Sequence, residues 1–211
     1  MTTTPTLATI PTPAPTASAT AGRTASDTIV RSAALALLVG GPASMALNVL
    51  WRIGHGPTVI NEHGVVLGLT NDEWSHLGPL WAVPVACAVA VLMTLHTGRA
   101  ARAAAWLTGT GLVVGAAAAW IFPLFSLGWL ALGAGLACLS VTLWRGRVLA
   151  RWLAVPPALV VVAFVPFLFW SDTVYAVEAT VASTSVNLAD LPVLALAFTW
   201  TALGVALLRR G

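Results

Sequence analysis

The chain has 211 residues, of which 58% are hydrophobic and only 8% are charged, and its mean hydropathy is +0.89. A soluble domain carries about 25% charged residues because water must wet its surface, so this composition excludes an ordinary soluble fold. The formal net charge of +3 comes from ten arginines and seven acidic residues, with no lysine. The arginines lie in short clusters between apolar runs, which is typical of membrane margins and gives no support to nucleic-acid binding.

The first 28 residues are rich in threonine, alanine and proline and show no apolar period. Such a segment buries too little surface to offset the entropy lost on ordering, so we predict a disordered cytoplasmic tail over residues 1–28. A cleaved signal peptide is the alternative, with Arg23 and Arg31 as its charged region and a cleavage site at residues 44–46. The apolar run continues beyond that site to Trp51, which favours an uncleaved first span.

The rest of the chain, residues 29–211, is predicted to form one all-α domain, a polytopic membrane bundle of six transmembrane helices. At a rise of about 1.5 Å per residue, each apolar run can cross a hydrocarbon core of about 30 Å, the second run only just. The spans are expected at residues 29–51, 80–96, 103–122, 127–144, 152–170 and 191–208.

Charge predicts the orientation of these spans. With the amino terminus in the cytoplasm, nine of the ten arginines lie inside and only Arg52 lies outside, as the positive-inside rule requires. Six of the seven acidic residues lie outside, and only Asp27 lies inside. An even number of spans is needed to keep this asymmetry, so the sequence predicts a multi-pass protein of the cell membrane with both termini cytoplasmic.

Tryptophans and small residues fit the same arrangement. Eight of the ten tryptophans lie at or near predicted span ends, where amphipathic rings settle at the level of the headgroups. Gly111 and Gly115 form a small-residue stripe on the third span, and Ala131 and Gly135 form one on the fourth. The link between these spans, residues 123–126, is short, so we expect them to pack closely as an antiparallel hairpin.

The longest polar interruption, residues 51–80, holds three of the four histidines and three of the seven acidic residues. Within it, Glu73 and His76 are three residues apart, which brings a carboxylate and an imidazole onto one helix face and recurs in metal sites. Alternatively, Asp72 caps a short interfacial helix that leads into the second span, with Trp74 as an anchor. Because a metal site needs further ligands in a defined geometry, we favour the cap and predict no metal and no cofactor.

The acidic residues of two outer loops, together with His76, form a candidate catalytic set. Carboxylates near a low-dielectric boundary have raised pKa values and can act as acids, as metal ligands or as partners of a histidine base. The simpler interpretation is that they are solvated loop residues with no chemical role. The catalytic candidates are Glu62, Glu73, His76, Asp172 and Asp190.

A second set consists of ligand-binding candidates. Asn48, Arg52 and His55 are spaced i, i+4 and i+7, so they share one helix face if the first helix persists that far. Arg52 would either pair with outer acids or clamp an anionic headgroup or carboxylate. Trp200, in the middle of the last span, could line a small apolar pocket, whereas the buried threonines are expected to bond back to their own helices.

The sequence therefore favours a non-enzymatic accessory or binding component whose polar outer loops contact a partner or ligand. No ionisable residue lies in the middle of a predicted span, which argues against a proton-driven pump or a channel with a charged filter. The alternatives are a membrane-embedded enzyme acting on a lipid or isoprenoid-like substrate, and a carrier for neutral or lipidic cargo. The expected partners are the lipid bilayer and a membrane-protein partner or a second copy of the chain, with no nucleic acid.

Overall fold

A computed structural model describes residues 17–55, 65–66, 69–70, 73, 76–117, 124–169, 178–181, 184–187 and 191–210. Most of these residues belong to six α-helices, which confirms the prediction of a helical bundle. The helices are α1 (Ala17–His55), α2 (Gly78–Thr94), α3 (Arg99–Ala117), α4 (Leu124–Arg145), α5 (Val155–Phe169) and α6 (Leu191–Leu208). A 3₁₀ helix, Arg151–Ala154, leads directly into α5.

Each helix overlaps one predicted span, and α6 has the predicted bounds. Helix α1 is longer than its span because it begins at Ala17, inside the segment predicted as a disordered tail. Three helical segments are long and apolar enough to cross a membrane: Ser26–Val49, Ser126–Arg145 and Leu191–Leu208. The apolar segments Gly78–Thr94 and Arg151–Phe164 are shorter, and α3 carries two arginines near its start that lower its hydropathy.

The helices form a ring in which each packs against the next along the chain and α6 packs back against α1. Between α2 and α3 the chain reverses at Gly98, whose φ of 110° is in the left-handed region that glycine adopts at no steric cost. Buried side chains from all six helices form one apolar cluster at the centre of the ring. Within the described residues, the buried polar side chains are those of Ser44, Thr108, Thr142 and Thr199.

Glycines bring α3 and α4 into direct backbone contact. A Cβ built on Gly111 would lie 2.6 Å from the Cα of Leu132, and one built on Gly135 would lie 2.7 Å from the Cα of Thr108. A Cβ built on Gly128 would likewise lie 2.7 Å from the Cα of Gly115. These contacts run in opposite directions along the two helices, so the predicted antiparallel hairpin of close-packed small residues is present.

The α1–α6 interface is built in the same way. A Cβ on Gly41 would lie 2.5 Å from the carbonyl oxygen of Ala197, and one on Gly204 would lie 2.8 Å from the carbonyl oxygen of Ala34. The hydroxyls of Thr199 and Thr201 donate to the carbonyls four residues earlier, at 2.7 and 2.9 Å, as expected for threonines in an apolar helix. The first and last helices of the ring are therefore held by close backbone packing.

The outward surface of the bundle is apolar. Large exposed hydrophobic side chains occur on all six helices, and among them are Val39, Leu80, Trp106, Val141, Val162 and Phe198. Soluble monomers rarely expose contiguous apolar surface on this scale, whereas lipid covers it at little cost. The apolar exterior and the three spanning segments indicate a membrane location.

Two short antiparallel hairpins lie outside the bundle. The first pairs β1 (Val65–Val66) with β2 (Leu69–Thr70), and the second pairs β3 (Glu178–Val181) with β4 (Thr184–Asn187). They were not predicted from the sequence, because strands this short carry too little alternation to stand out from loop residues.

Candidate functional site

A lateral groove of about 390 Å³ lies between α1 and α2, and we call it the α1–α2 groove. Its α1 wall consists of small residues at intervals of three to four, Ala36, Gly40 and Ala43, while Trp81 and Pro84 line the α2 wall. Because the α1 residues have little or no side chain, space remains between the helices beside the tight contact of Gly40 with Val85. The lining is almost wholly apolar, so the groove suits a hydrocarbon chain or an apolar helix face.

Predicted polar residues lie beside one end of this groove. Leu47 and Leu77 line that end, and they are the direct sequence neighbours of Asn48 and His76. Asn48 and His76 are half-buried and Glu73 is exposed, and each of the three already makes an interaction within the protein. The apolar lining of the groove is therefore adjacent in sequence to an amide at Asn48 and an imidazole at His76, a combination of apolar and polar groups that an amphiphilic molecule fits.

Glu73 and His76 both have helical backbone, which agrees with the predicted short helix before α2. Asp72, the residue predicted to cap this short helix, lies outside the described residues. Helix α2 begins after Leu77, which forms no side-chain capping hydrogen bond. Among the described residues, no group of three or more His, Cys, Asp or Glu side chains lies in metal-binding range.

The remaining candidates are placed less fully. The backbone of α1 continues to His55, which meets the condition under which Asn48, Arg52 and His55 share one helix face, and the ligand contact of these residues stays a prediction. The catalytic candidates Glu62, Asp172 and Asp190 lie outside the described residues, and their convergence with His76 stays a prediction.

Trp200 is fully buried, with 0% of its surface exposed, and it belongs to the central apolar cluster. Its indole Nε1 has no hydrogen-bond partner among the described residues. The indole does not line the α1–α2 groove, so its packing supports a role in the core, and its predicted ligand contact stays a prediction.

Sequence reasoning overlooked the α1–α2 groove. The signal was available, since Ala36, Gly40 and Ala43 form a small-residue stripe at i, i+4 and i+7 on the first span. The stripe on the third span was interpreted correctly as helix packing. On the first span the small residues also leave open space opposite Trp81 and Pro84, beside the tight contact of Gly40 with Val85.

Comparison with known proteins adds no assignment. No protein-family model matches the chain, and neither the curated proteins nor the solved structures include one with significant similarity. Its function has to be argued from the groove, the charges and the residues beside them.

Proposed function

We propose that this chain is a six-span protein of the cell membrane, with both termini cytoplasmic, that acts as a non-enzymatic binding component. In this proposal the α1–α2 groove faces the outer leaflet and receives the apolar part of a lipidic ligand. The polar head of the ligand contacts the outer residues around Asn48, Glu73 and His76. The observation that carries the proposal is the apolar groove, whose lining residues Leu47 and Leu77 are the sequence neighbours of Asn48 and His76.

The six-span arrangement is supported by the ring of six helices and by the arginines. Arg99 and Arg102 are exposed at the start of α3, Arg145 is exposed at the end of α4, and Arg209 and Arg210 are exposed after α6. In an antiparallel ring these helix ends lie on the same side of the bundle, and the positive-inside rule assigns that side to the cytoplasm.

The polar head must supply the specificity for the ligand. A hydrocarbon chain gains little by leaving the bilayer for an apolar groove, because lipid tails are as apolar as the groove. An amide, an imidazole and a carboxylate offer both donors and acceptors, so they discriminate between heads by hydrogen bonding. A lipidic ligand with a hydrogen-bonding head therefore fits the site better than a pure hydrocarbon.

A membrane-embedded enzyme acting on the same class of lipid is the second candidate. It is favoured by one observation. Glu73 and His76 are three residues apart in the sequence and both have helical backbone, the spacing at which an acid and an imidazole share one helix face. The two candidates differ in one outcome, since an enzyme returns a changed lipid and a binding component returns the lipid unchanged.

Groove occupancy can be tested with a phosphatidylcholine that carries a photoactivatable diazirine in its acyl chain. In reconstituted vesicles we expect this probe to label residues of the α1–α2 groove, and Ala43→Phe to reduce that labelling about tenfold, equivalent to about 1.4 kcal/mol. Ala90→Phe is the matched control, because Ala90 is an exposed residue of α2 outside the groove. Equal labelling in both variants would contradict the binding site.

The same preparation separates binding from catalysis. Lipid recovered after incubation should be chemically unchanged by mass spectrometry, for the wild-type chain and for His76→Ala alike. If the wild-type chain converts the lipid and His76→Ala does not, the protein is an enzyme and the binding proposal is wrong.

Orientation can be tested by cysteine labelling in intact cells, after Cys87 and Cys138 are replaced by alanine. Single cysteines at Glu73 and Thr97, which are both exposed, flank α2 on its two sides. We expect a membrane-impermeant maleimide to label Glu73→Cys from outside and Thr97→Cys only after permeabilisation. The reverse pattern would invert the proposed topology, and labelling of both from outside would remove α2 as a span.

A further inference from the structure

A second lateral groove, of about 510 Å³, lies between the second half of α6 and the link and 3₁₀ helix that precede α5, and we call it the α5–α6 groove. One wall is a stripe along α6 that includes Phe198, Ala202, Val205 and Ala206, and Arg209 and Arg210 lie at its end. We propose that this groove binds one anionic phospholipid of the inner leaflet, with its phosphate on the two arginines. Only the assignment to the inner leaflet rests on the proposed function.

The α6 wall of the groove is about as long as one leaflet is thick. Arg209 follows α6 directly and its N–H still bonds to Val205, so the eleven residues from Phe198 to Arg209 correspond to about 16 Å at the helical rise per residue. Half of a hydrocarbon core of about 30 Å is about 15 Å. An acyl chain whose phosphate lies at Arg209 therefore reaches the depth of Phe198, whose side chain is 57% exposed at the far end of the groove.

The arginines are held at the mouth of the groove. The backbone N–H of Arg209 donates to Val205 at 3.1 Å and that of Arg210 donates to Leu207 at 3.2 Å, so the backbone continues in a turn for two residues beyond the end of α6. Guanidinium groups bind phosphate oxygens in bidentate geometry, which a zwitterionic lipid's own ammonium group partly opposes. Arg147 and Arg151 are exposed and flank residues 148–150 of the facing wall, so they add positive charge on that side.

The facing wall is fixed by packing. The Ser140 hydroxyl on α4 donates to the carbonyl of Ala154 at 2.6 Å, and Leu153 is buried beneath the groove. Trp152 lines the groove with more than half of its surface exposed, in the position where an indole contacts the headgroup region. An apolar α6 wall one leaflet long, an interfacial tryptophan and an arginine pair together select an anionic phospholipid.

Native mass spectrometry of the full chain, purified free of phospholipid in detergent, tests this proposal. We expect phosphatidylglycerol to bind more tightly than phosphatidylcholine of the same acyl chains, with one molecule in the tightest class. Arg209→Gln together with Arg210→Gln should weaken phosphatidylglycerol binding about 30-fold, since each arginine near the phosphate contributes about fivefold. The matched control is Arg99→Gln with Arg102→Gln, which removes the same charge outside the groove and should change binding less than about threefold.

A second variant tests the apolar part of the groove. Ala202→Phe fills the channel without changing any charge, and we expect it to reduce phosphatidylglycerol binding while the melting temperature stays close to that of the wild-type chain. Equal weakening by both arginine pairs would show diffuse charge attraction and would overturn the proposal, as would phosphatidylcholine binding as tightly as phosphatidylglycerol. These measurements in detergent do not depend on orientation, so a failed topology experiment would leave them standing.

Discussion

Gly135→Leu is expected to destabilise the bundle by about 3 kcal/mol, because the new side chain has to enter the backbone of α3. A Cβ added to Gly135 would lie 2.5 Å from the Thr108 hydroxyl oxygen and 2.7 Å from its Cα. Backbone atoms cannot change rotamer to make room, so α3 and α4 must separate and lose their contacts at Gly111 and Gly128 as well. We expect the melting temperature in detergent to fall by about 10 °C.

Gly133→Leu provides a control on the same helix. A Cβ at Gly133 meets nothing within 4 Å, so leucine there has free space at its base. Replacing a mid-helix glycine with leucine removes an entropic cost of about 0.5–1 kcal/mol, and the melting temperature should stay the same or rise. If Gly133→Leu and Gly135→Leu lowered the melting temperature equally, the close α3–α4 contact would be refuted.

Trp200→Ala is expected to have the second large effect, a loss of about 3 kcal/mol in the free energy of unfolding. Trp200 is the largest side chain among those with no exposed surface, and it lies in the central cluster between α6 and its neighbours. In a bilayer the loss comes from the cavity that remains when the indole is removed, because moving apolar surface from protein to lipid costs little. Chemical unfolding in mixed micelles measures it.

Trp106→Ala is the control for this measurement. Its indole is 76% exposed on the outer surface of α3, so truncation opens no cavity and should change stability by less than about 0.5 kcal/mol. Trp200→Phe adds a further distinction, since it keeps a ring and removes Nε1, which has no hydrogen-bond partner among the described residues. If Trp200 serves only to pack the core, lipid labelling in Trp200→Phe should be unchanged. Loss of labelling in this variant would support the predicted ligand contact.

The helices were predictable from the sequence because an apolar run must satisfy all its backbone groups internally once it lies in lipid. Residues 191–208 show this most directly, since the predicted span and α6 share both bounds. The α3–α4 hairpin was predictable for a second reason, because Gly111 and Gly135 mark places where backbones approach closely. Gly128 completes that contact and was missed, because its partner at Gly115 has no side chain to suggest a register.

The grooves were not predictable in the same way. Ala43 and Trp81 lie 38 positions apart, and whether small and bulky residues interlock or leave space depends on the register between two helices, which no local period encodes. The α5–α6 groove depends in addition on the 3₁₀ helix at Arg151–Ala154, because Trp152 and Leu153 of that helix line the groove. The relative axial position of two packed helices sets the depth and the lining of a groove, and it is known only from the three-dimensional structure.

The close packing of Gly41 and Gly204 across the α1–α6 interface has a consequence for biogenesis. In the proposed six-span arrangement, α2 to α5 each pack on the helix made just before them, whereas the second partner of α1, α6, is made about 150 residues later. Until α6 arrives, the glycine face of α1 stays open to lipid, and such distant pairings are slow to form. Nascent chains halted before residue 191 should therefore leave the α6-binding face of α1 uncovered. We expect chaperones to bind these chains or proteases to degrade them, even when their first five helices are correctly packed.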